Sequence, residues 1–220
     1  MKFTVITLFP EFIRELENYS IIGRAIKNKK VRLETINLRD FGVGNYKQVD
    51  DKPYGGGPGM LMRVDVAHSA IKAATKRQSK NRKIIMLSAD GKQFDQKMAQ
   101  ELSKLNELVI LCGHYEGFDK RIENYVDEKV SIGPYILSGG EIPTMTMIDT
   151  ISRLLPGVLQ NPKSLEEESF SGGWKLEAGS SNAEYPQYTR PEKYLGKKVP
   201  EVLLSGDHKK IENWRKNRLK

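Results

Sequence analysis

The sequence predicts an α/β fold built on a parallel sheet, and three observations carry that expectation. Three short apolar runs, Lys83–Leu87, Glu107–Cys112 and Val126–Ile132, each end in a glycine-bearing turn and each feed a helix-like stretch. Such alternation is how parallel sheets are wired, since a parallel neighbour needs a crossover of a dozen residues or more. The opening run Lys2–Leu8 alternates and then turns wholly apolar, as a strand covered on both faces does. Finally, ligands of such sheets sit beyond the carboxyl ends of the strands, so the turns Leu87–Gly91, Gly113–Gly117 and Ile132–Gly140 are expected to converge on one pocket. None of them spells GxGxxG or a P-loop, so neither a dinucleotide nor a triphosphate site is indicated.

Taken in order, Lys2–Leu8 reads as a buried strand, and Pro10 permits a helix just after it, through Phe12 and Leu16. A shorter helix lies around Ala25–Lys27. Val31, Leu33 and Thr35 alternate with Arg32 and Glu34, which marks Val31–Leu38 as a half-buried strand. Asn45–Met60 (NYKQVDDKPYGGGPGM) holds four glycines and two prolines and cannot be a regular element. It reads as a long functional loop, with a disordered loop as the plain alternative. Asp65–Arg77 has helical spacing in Val66, Ala70 and Ala73-Ala74. Phe94–Leu102 and Asp119–Tyr125 are the helices that follow the first two glycine turns.

The third turn, Ser131–Glu141 (SIGPYILSGGE), is the most informative. Two glycines ahead of a helix let backbone come close to a bound molecule and leave the first N–H groups free to donate. Glu141 suits the positive end of the helix dipole. On spacing alone an ordinary strand-to-helix connection fits equally. Ile142–Leu155 then carries Thr144, Ile148, Ile151 and Leu155 on one stripe, and Pro156-Gly157 stops it. From Gln160 to Pro191, Ser, Gly, Asn, Pro and acids dominate, which suggests a linker. Asp207–Lys220 is a strongly basic helix, either a solvated tail or a contact for a phosphate backbone.

Composition narrows the class. The 220 residues include 36 Lys and Arg against 28 Asp and Glu, a net charge of +8, which favours a polyanionic partner. No run approaches the roughly 18 apolar residues of a membrane span. The start, MKFTVITLFP, lacks a small-residue cleavage site and reads as a strand, not a signal peptide. The single cysteine, Cys112, excludes an internal disulfide, fits a reducing cytosol, and ends an apolar run as a buried strand residue would. His68, His114 and His208 are scattered without metal-ligand spacing.

Six stretches in fixed order carry a resemblance: Asp50–Met62 (DDKPYGGGPGMLM), Cys112–Gly117 (CGHYEG), Ser131–Glu141, Leu155–Leu159 (LPGVL), Tyr188–Pro191 (YTRP) and Pro200–Gly206 (PEVLLSG). Together they resemble the bacterial tRNA (guanine-N1)-methyltransferases of the SPOUT class, over nearly the whole chain. The resemblance implies a parallel sheet with helices on both faces, a deep trefoil knot and a small helical C-terminal domain. The expected divisions are a knotted cofactor-binding domain (1–160), a linker (161–190) and a short basic helical domain (191–220). The implied activity is transfer of a methyl group from S-adenosylmethionine to N1 of the guanosine immediately 3′ of the anticodon. Also implied are a homodimer with shared active sites, a tRNA anticodon stem-loop as partner, dependence on Mg²⁺, and a cytoplasmic location. Neither DNA nor a membrane is among the implied partners, and no metal ligand is identified. Two alternatives stand beside it: a SPOUT methyltransferase with another RNA target, and a catalytically weak RNA-binding protein.

Carried over by position, Leu87, Ser88 and Gly91 would hold the adenosine end of the cofactor. Gly113, Ile132, Gly133, Pro134, Tyr135, Ile136 and Leu137 would complete the pocket, Gly139 and Gly140 would allow a tight pass of chain, and Tyr115 and Glu116 would line the methionine end. Pro58 and Gly59 would approach the target base, Asp50 its neighbour, and Lys209, Lys210 and Arg215 the RNA backbone. Guanine N1 carries a proton and is a poor nucleophile until a base removes it. The triplet Glu168-Ser169-Phe170 stands where the family has Asp-Ser-Phe, so Glu168 is the expected base, with Glu166 and Glu167 beside it, and Arg153 the group that stabilises charge on the guanine. The sequence departs from the family pattern at Pro134 (commonly Asp), Ala89-Asp90 (commonly a Pro-Gln type pair) and His114 (commonly Arg).

Overall fold

The computed structural model describes residues 1–159 and 185–218. The chain divides into two compact units, Met1–Gln160 and Asn161–Lys220. In the first, β1 (Lys2–Thr7), α1 (Pro10–Arg14), α2 (Ser20–Lys27) and β2 (Arg32–Asn37) come first. They are followed by β3 (Asp50–Asp51), β4 (Leu61–Met62), α3 (Val64–Thr75), β5 (Arg82–Gln93), α4 (Gln96–Leu102), β6 (Glu107–Leu111), β7 (Glu128–Ser131) and α5 (Glu141–Arg153). Five strands form one wholly parallel sheet in the order β2-β1-β6-β5-β7.

The central strands are largely apolar where both faces are covered, in β1, β6 and the first half of β5. Side chains alternate across a strand, so Phe3, Val5, Ile85, Leu87, Leu108 and Ile110 point to one side, against Ile13, Ile22, Met98, Leu102, Met147 and Ile151 of α1, α2, α4 and α5. Their neighbours Ile6, Met86, Val109 and Leu111 point to the other, against Val66, Ala67, Ala70 and Ile71 of α3. Each fully buried aliphatic side chain contributes about 1.5–3 kcal/mol relative to exposure. At the amino-terminal edge, Glu107 is buried and accepts from Lys2 (2.9 Å) and Arg82 (2.6 Å), which fastens β1, β6 and β5 together.

Three local expectations need correction, and a fourth, the loop Asn45–Met60, gains detail. The turn expected at Ser88–Gly91 lies within a twelve-residue strand, β5, whose register against β7 slips between Leu87 and Lys92 so that both oppose Val130. Gly91 permits this, since a Cβ there would lie 2.6 Å from the backbone of Val130. The helix expected over Asp119–Tyr125 is a 3-10 helix, Lys120–Tyr125, whose first turn is closed by Asp119 accepting from the Arg121 N–H at 2.9 Å. The helix through Phe12 and Leu16 changes to a 3-10 turn at Glu15–Asn18. The glycine-rich loop is ordered: β3 pairs with β4, and backbone bonds Glu116 N–H to Met60 O (3.1 Å), Met62 N–H to Gly117 O (2.8 Å) and Asp119 N–H to Met62 O (3.0 Å) tie it to the second glycine turn.

In the second unit, Lys193–Tyr194 pairs with Lys197–Lys198, and the one-turn helix Glu201–Leu204 precedes the helix His208–Lys216. Asp207 is the cap of that helix, accepting from the Lys210 N–H at 3.2 Å, so the basic helix starts one residue later than its sequence suggests.

Candidate active site

The middle of β5 and the carboxyl ends of β6 and β7 surround a cavity of about 260 Å³. Leu87 and Ser88 lie within β5, just before its register slip; Gly113, Tyr115 and Glu116 follow β6; Ile132, Gly133, Tyr135, Ile136, Leu137, Gly139 and Gly140 follow β7. Gly91 and Pro134 are absent from that lining: Gly91 is spent on the close pass with β7, and Pro134 faces outward on the loop. The predicted cofactor residues leave out seven that line it, Ala89, His114, Gly117, Val130, Ser131, Ser138 and Pro143. His114 lies inside a motif already singled out, and Pro143 follows the glycine pair by three residues, so position in the motif was the available signal.

The glycine pair is required by geometry. From β7 the chain returns across β5 to the end of β6, where Gly140 donates to Gly113 O (2.9 Å) and Gly139 opposes His114 in an isolated antiparallel bridge. A Cβ on Gly140 would lie 2.7 Å from Cys112 Cα, and one on Gly139 would overlap the His114 ring. Tyr115 holds φ of 57°, a left-handed conformation that costs a non-glycine residue about 1–3 kcal/mol. The backbone N–H groups of Ile136, Leu137 and Ser138 donate to no backbone acceptor among the described residues. Apolar walls from Leu87, Ile132 and Leu137 with free donors on one rim suit a flat, acceptor-edged heterocycle such as adenine.

Polar groups frame this cavity. Glu141, 4% exposed, accepts from the Thr7 hydroxyl at 2.6 Å and meets His114 Nε2 at 2.8 Å. Ser88 donates to Asp90, which Lys129 also holds at 2.6 Å; Lys129 first, then Ser88, keep the Asp90 carboxyl below its usual range. Cys112 is fully buried, 3.0 Å from Thr144 Oγ1, and burial, then the Glu141 charge, push its thiol far up, so it is no nucleophile. The Glu116 side chain fills the space a Cβ on Gly59 would need, which brings the glycine-rich loop to the cavity's edge.

Other named residues lie elsewhere. Asp50 is half-buried in β3, while Pro58 and Gly59 are exposed on the loop. Arg153 closes α5, which begins at the cavity, so at 1.5 Å per residue it stands about 18 Å along the helix from Glu141. Lys209, Lys210 and Arg215 are exposed on the basic helix of the second unit, where Arg215 lies over the Tyr185 ring at 4.8 Å. Glu168, with its neighbours Glu166 and Glu167, lies outside the described residues. Among the described residues no helix is long and apolar enough to cross a membrane, and no three His, Cys, Asp or Glu side chains are grouped to hold a metal ion.

Comparison with known proteins adds a second line. A family model described as tRNA (Guanine-1)-methyltransferase TrmD matches residues 1–220. A tRNA (guanine-N(1)-)-methyltransferase of Ruminiclostridium cellulolyticum is 50% identical over 216 residues, covering 98% of this chain and 89% of its own length. Proteins of the same name from Clostridium perfringens strain 13 (49% identical, 98% and 87% covered) and Clostridium botulinum strain Hall (48% identical, 98% and 85% covered) are similar to it to the same degree.

Proposed function

The chain belongs to the tRNA (Guanine-1)-methyltransferase family, and we propose that it methylates N1 of the tRNA guanosine immediately 3′ of the anticodon, with S-adenosylmethionine as donor. The observation that carries this reading is the cavity where β5 meets the turns after β6 and β7, in a chain matched by the family over its whole length. Its adenine-sized apolar wall, free backbone donors and glycine pass fit an adenosine-bearing cofactor. The return of the chain from β7 to Cys112–Gly113, before α5 packs on the sheet, supports the trefoil knot that the family implies.

The bound donor supplies a methyl group already activated on a sulfonium. The protein's part is alignment and proton handling. Leu87, Ser88, Ile132, Gly133 and Tyr135–Leu137 would hold the adenosine end of the donor, and Tyr115 and Glu116 its methionine end. Glu168 takes the N1 proton, and Arg153 stabilises the negative charge that then develops on the guanine oxygen. The described residues offer no ligand set for Mg²⁺, and no step is assigned to a metal.

A homodimer is part of this reading, and two features of the first unit support it. Arg153 stands about 18 Å along α5 from Glu141, so we infer that it serves the cavity of a second copy and not its own. The mouth of the cavity is also flanked by exposed apolar side chains, Phe9, Tyr115, Ile142 and Ile136, the last 83% exposed, which suit a second copy. The exposed cations of the His208–Lys216 helix suit the phosphates of an anticodon stem.

The test is labelled-methyl transfer onto two tRNA transcripts, identical except for guanosine or adenosine 3′ of the anticodon. Label on the first alone is expected. Label on both, or on neither while the donor binds, contradicts the assignment and favours another RNA target or an RNA-binding role.

A further inference from the structure

We propose that His114 is a positioning residue for the donor pocket: by its bond to Glu141 it fixes the spacing between the two cavity walls and so sets affinity for the methyl donor. The inference rests on reading the cavity as the S-adenosylmethionine site.

Glu141 is almost wholly buried, and both its oxygens are engaged. Oε1 accepts from Thr7 Oγ1 (2.6 Å), Oε2 meets His114 Nε2 (2.8 Å), and Thr7 Oγ1 in turn accepts from the Phe9 N–H (2.9 Å). One carboxylate therefore ties the end of β1, the turn after β6 and the first residue of α5. It sits in the first helical turn, where the positive end of the helix dipole favours it.

The His114 ring is also held sideways. Phe9 packs against it edge-on with centroids 5.0 Å apart, and on the other side the ring occupies the space that a side chain on Gly139 would fill. Its backbone bridges to Gly139, and its N–H points to Met62 Sδ at 3.3 Å. One wall of the cavity, Gly113–Tyr115, and the other, Ile136–Gly140, thus touch through this ring and its carboxylate. A side chain without a donor would leave Oε2 unpartnered in a buried place, which is costly for a charge. The carboxylate and the loop leading to it would shift to recover a partner, and the walls would lose their spacing.

The experiment compares His114→Leu, which keeps bulk but cannot donate, with His114→Gln, whose amide N–H reaches the same acceptor. Calorimetric titration with S-adenosylmethionine and steady-state kinetics on tRNA are read together, with melting temperature as the control for folding. Loss of a hydrogen bond to a buried charge corresponds to about a tenfold to hundredfold loss in binding. The expected result is therefore a donor Kd and KM raised at least about tenfold in His114→Leu, with kcat at saturating donor and KM for tRNA within about threefold of wild type. His114→Gln should restore donor binding to within about threefold. Glu141→Gln, which keeps the shape and removes the charge, gives a second reading if His114→Leu does not fold, and should also weaken the donor and spare KM for tRNA. Unchanged donor binding in His114→Leu, or equal losses in the Leu and Gln variants, overturns the proposal. A folded wild-type protein that binds no S-adenosylmethionine overturns the function itself, so that titration comes first.

Discussion

Glu107 shows how much one side chain can hold together and how little of that is visible in a sequence. Its place at the head of an apolar run marks the start of β6, but its partners Lys2 and Arg82 begin two other strands. Burial by itself would push the carboxyl up; the hydrogen bonds from Lys2 and Arg82 outweigh this and hold it below its ordinary range. Because the folded value is depressed, the stabilisation is complete above the unfolded value, about pH 4.3, and is lost as pH falls through the folded one. Glu107→Gln leaves two cations facing a neutral amide and should cost about 3 kcal/mol near neutrality. Urea unfolding at pH 7 and below pH 4 reads this: the variant should be weaker at pH 7 and its deficit should shrink in acid. An equal deficit at both pH values would assign the loss to packing. The glycines at 139 and 140 were more legible, because two glycines ahead of a helix already indicate a close approach; that the approach is to Cys112 and to the His114 ring was not.

The elements themselves were largely legible where burial dictates the pattern. β1, β2, β6, β7 and α5 lie within a residue or two of where their apolar runs place them, because strands covered on both faces leave no choice of residue. β5 was misjudged at its end. Ser88-Ala89-Asp90-Gly91 has the composition of a turn, yet β7 supplies a partner that keeps it in the sheet, and a partner strand from elsewhere in the chain leaves no local trace. The 3-10 helix Lys120–Tyr125 was misread because six residues of helical composition do not distinguish the two windings. The basic helix carries a prediction of its own. Lys209, Lys210 and Arg215 are exposed on His208–Lys216. If they meet tRNA phosphates, replacing all three by Ala should lower the slope of log affinity against log salt by about 2–3, at roughly 0.7–0.9 per contact. An unchanged slope would make this face merely solvated.

In the first unit as a whole, the stretches singled out in the sequence line one cavity, and Arg153 lies at the far end of the helix that starts beside it. The turns after β6 and β7 come together because parallel strands deliver their carboxyl ends to the same side, and β5 passes beside them. Arg153, by contrast, is carried away by the length of the helix that starts at the pocket, a separation that no motif reports. The account therefore depends on two copies of the chain meeting, each lending Arg153 to the other's pocket. The direct test mixes two inactive chains: Ala89→Trp, which blocks the cavity from an exposed rim position, and Arg153→Ala, which leaves the cavity open. After co-refolding in equal amounts, half of the dimers are mixed and each holds one intact site, so methyl transfer to tRNA should recover to about a quarter of wild type. Mixed dimers that form and bind donor yet show no recovery would contradict a site shared between two copies.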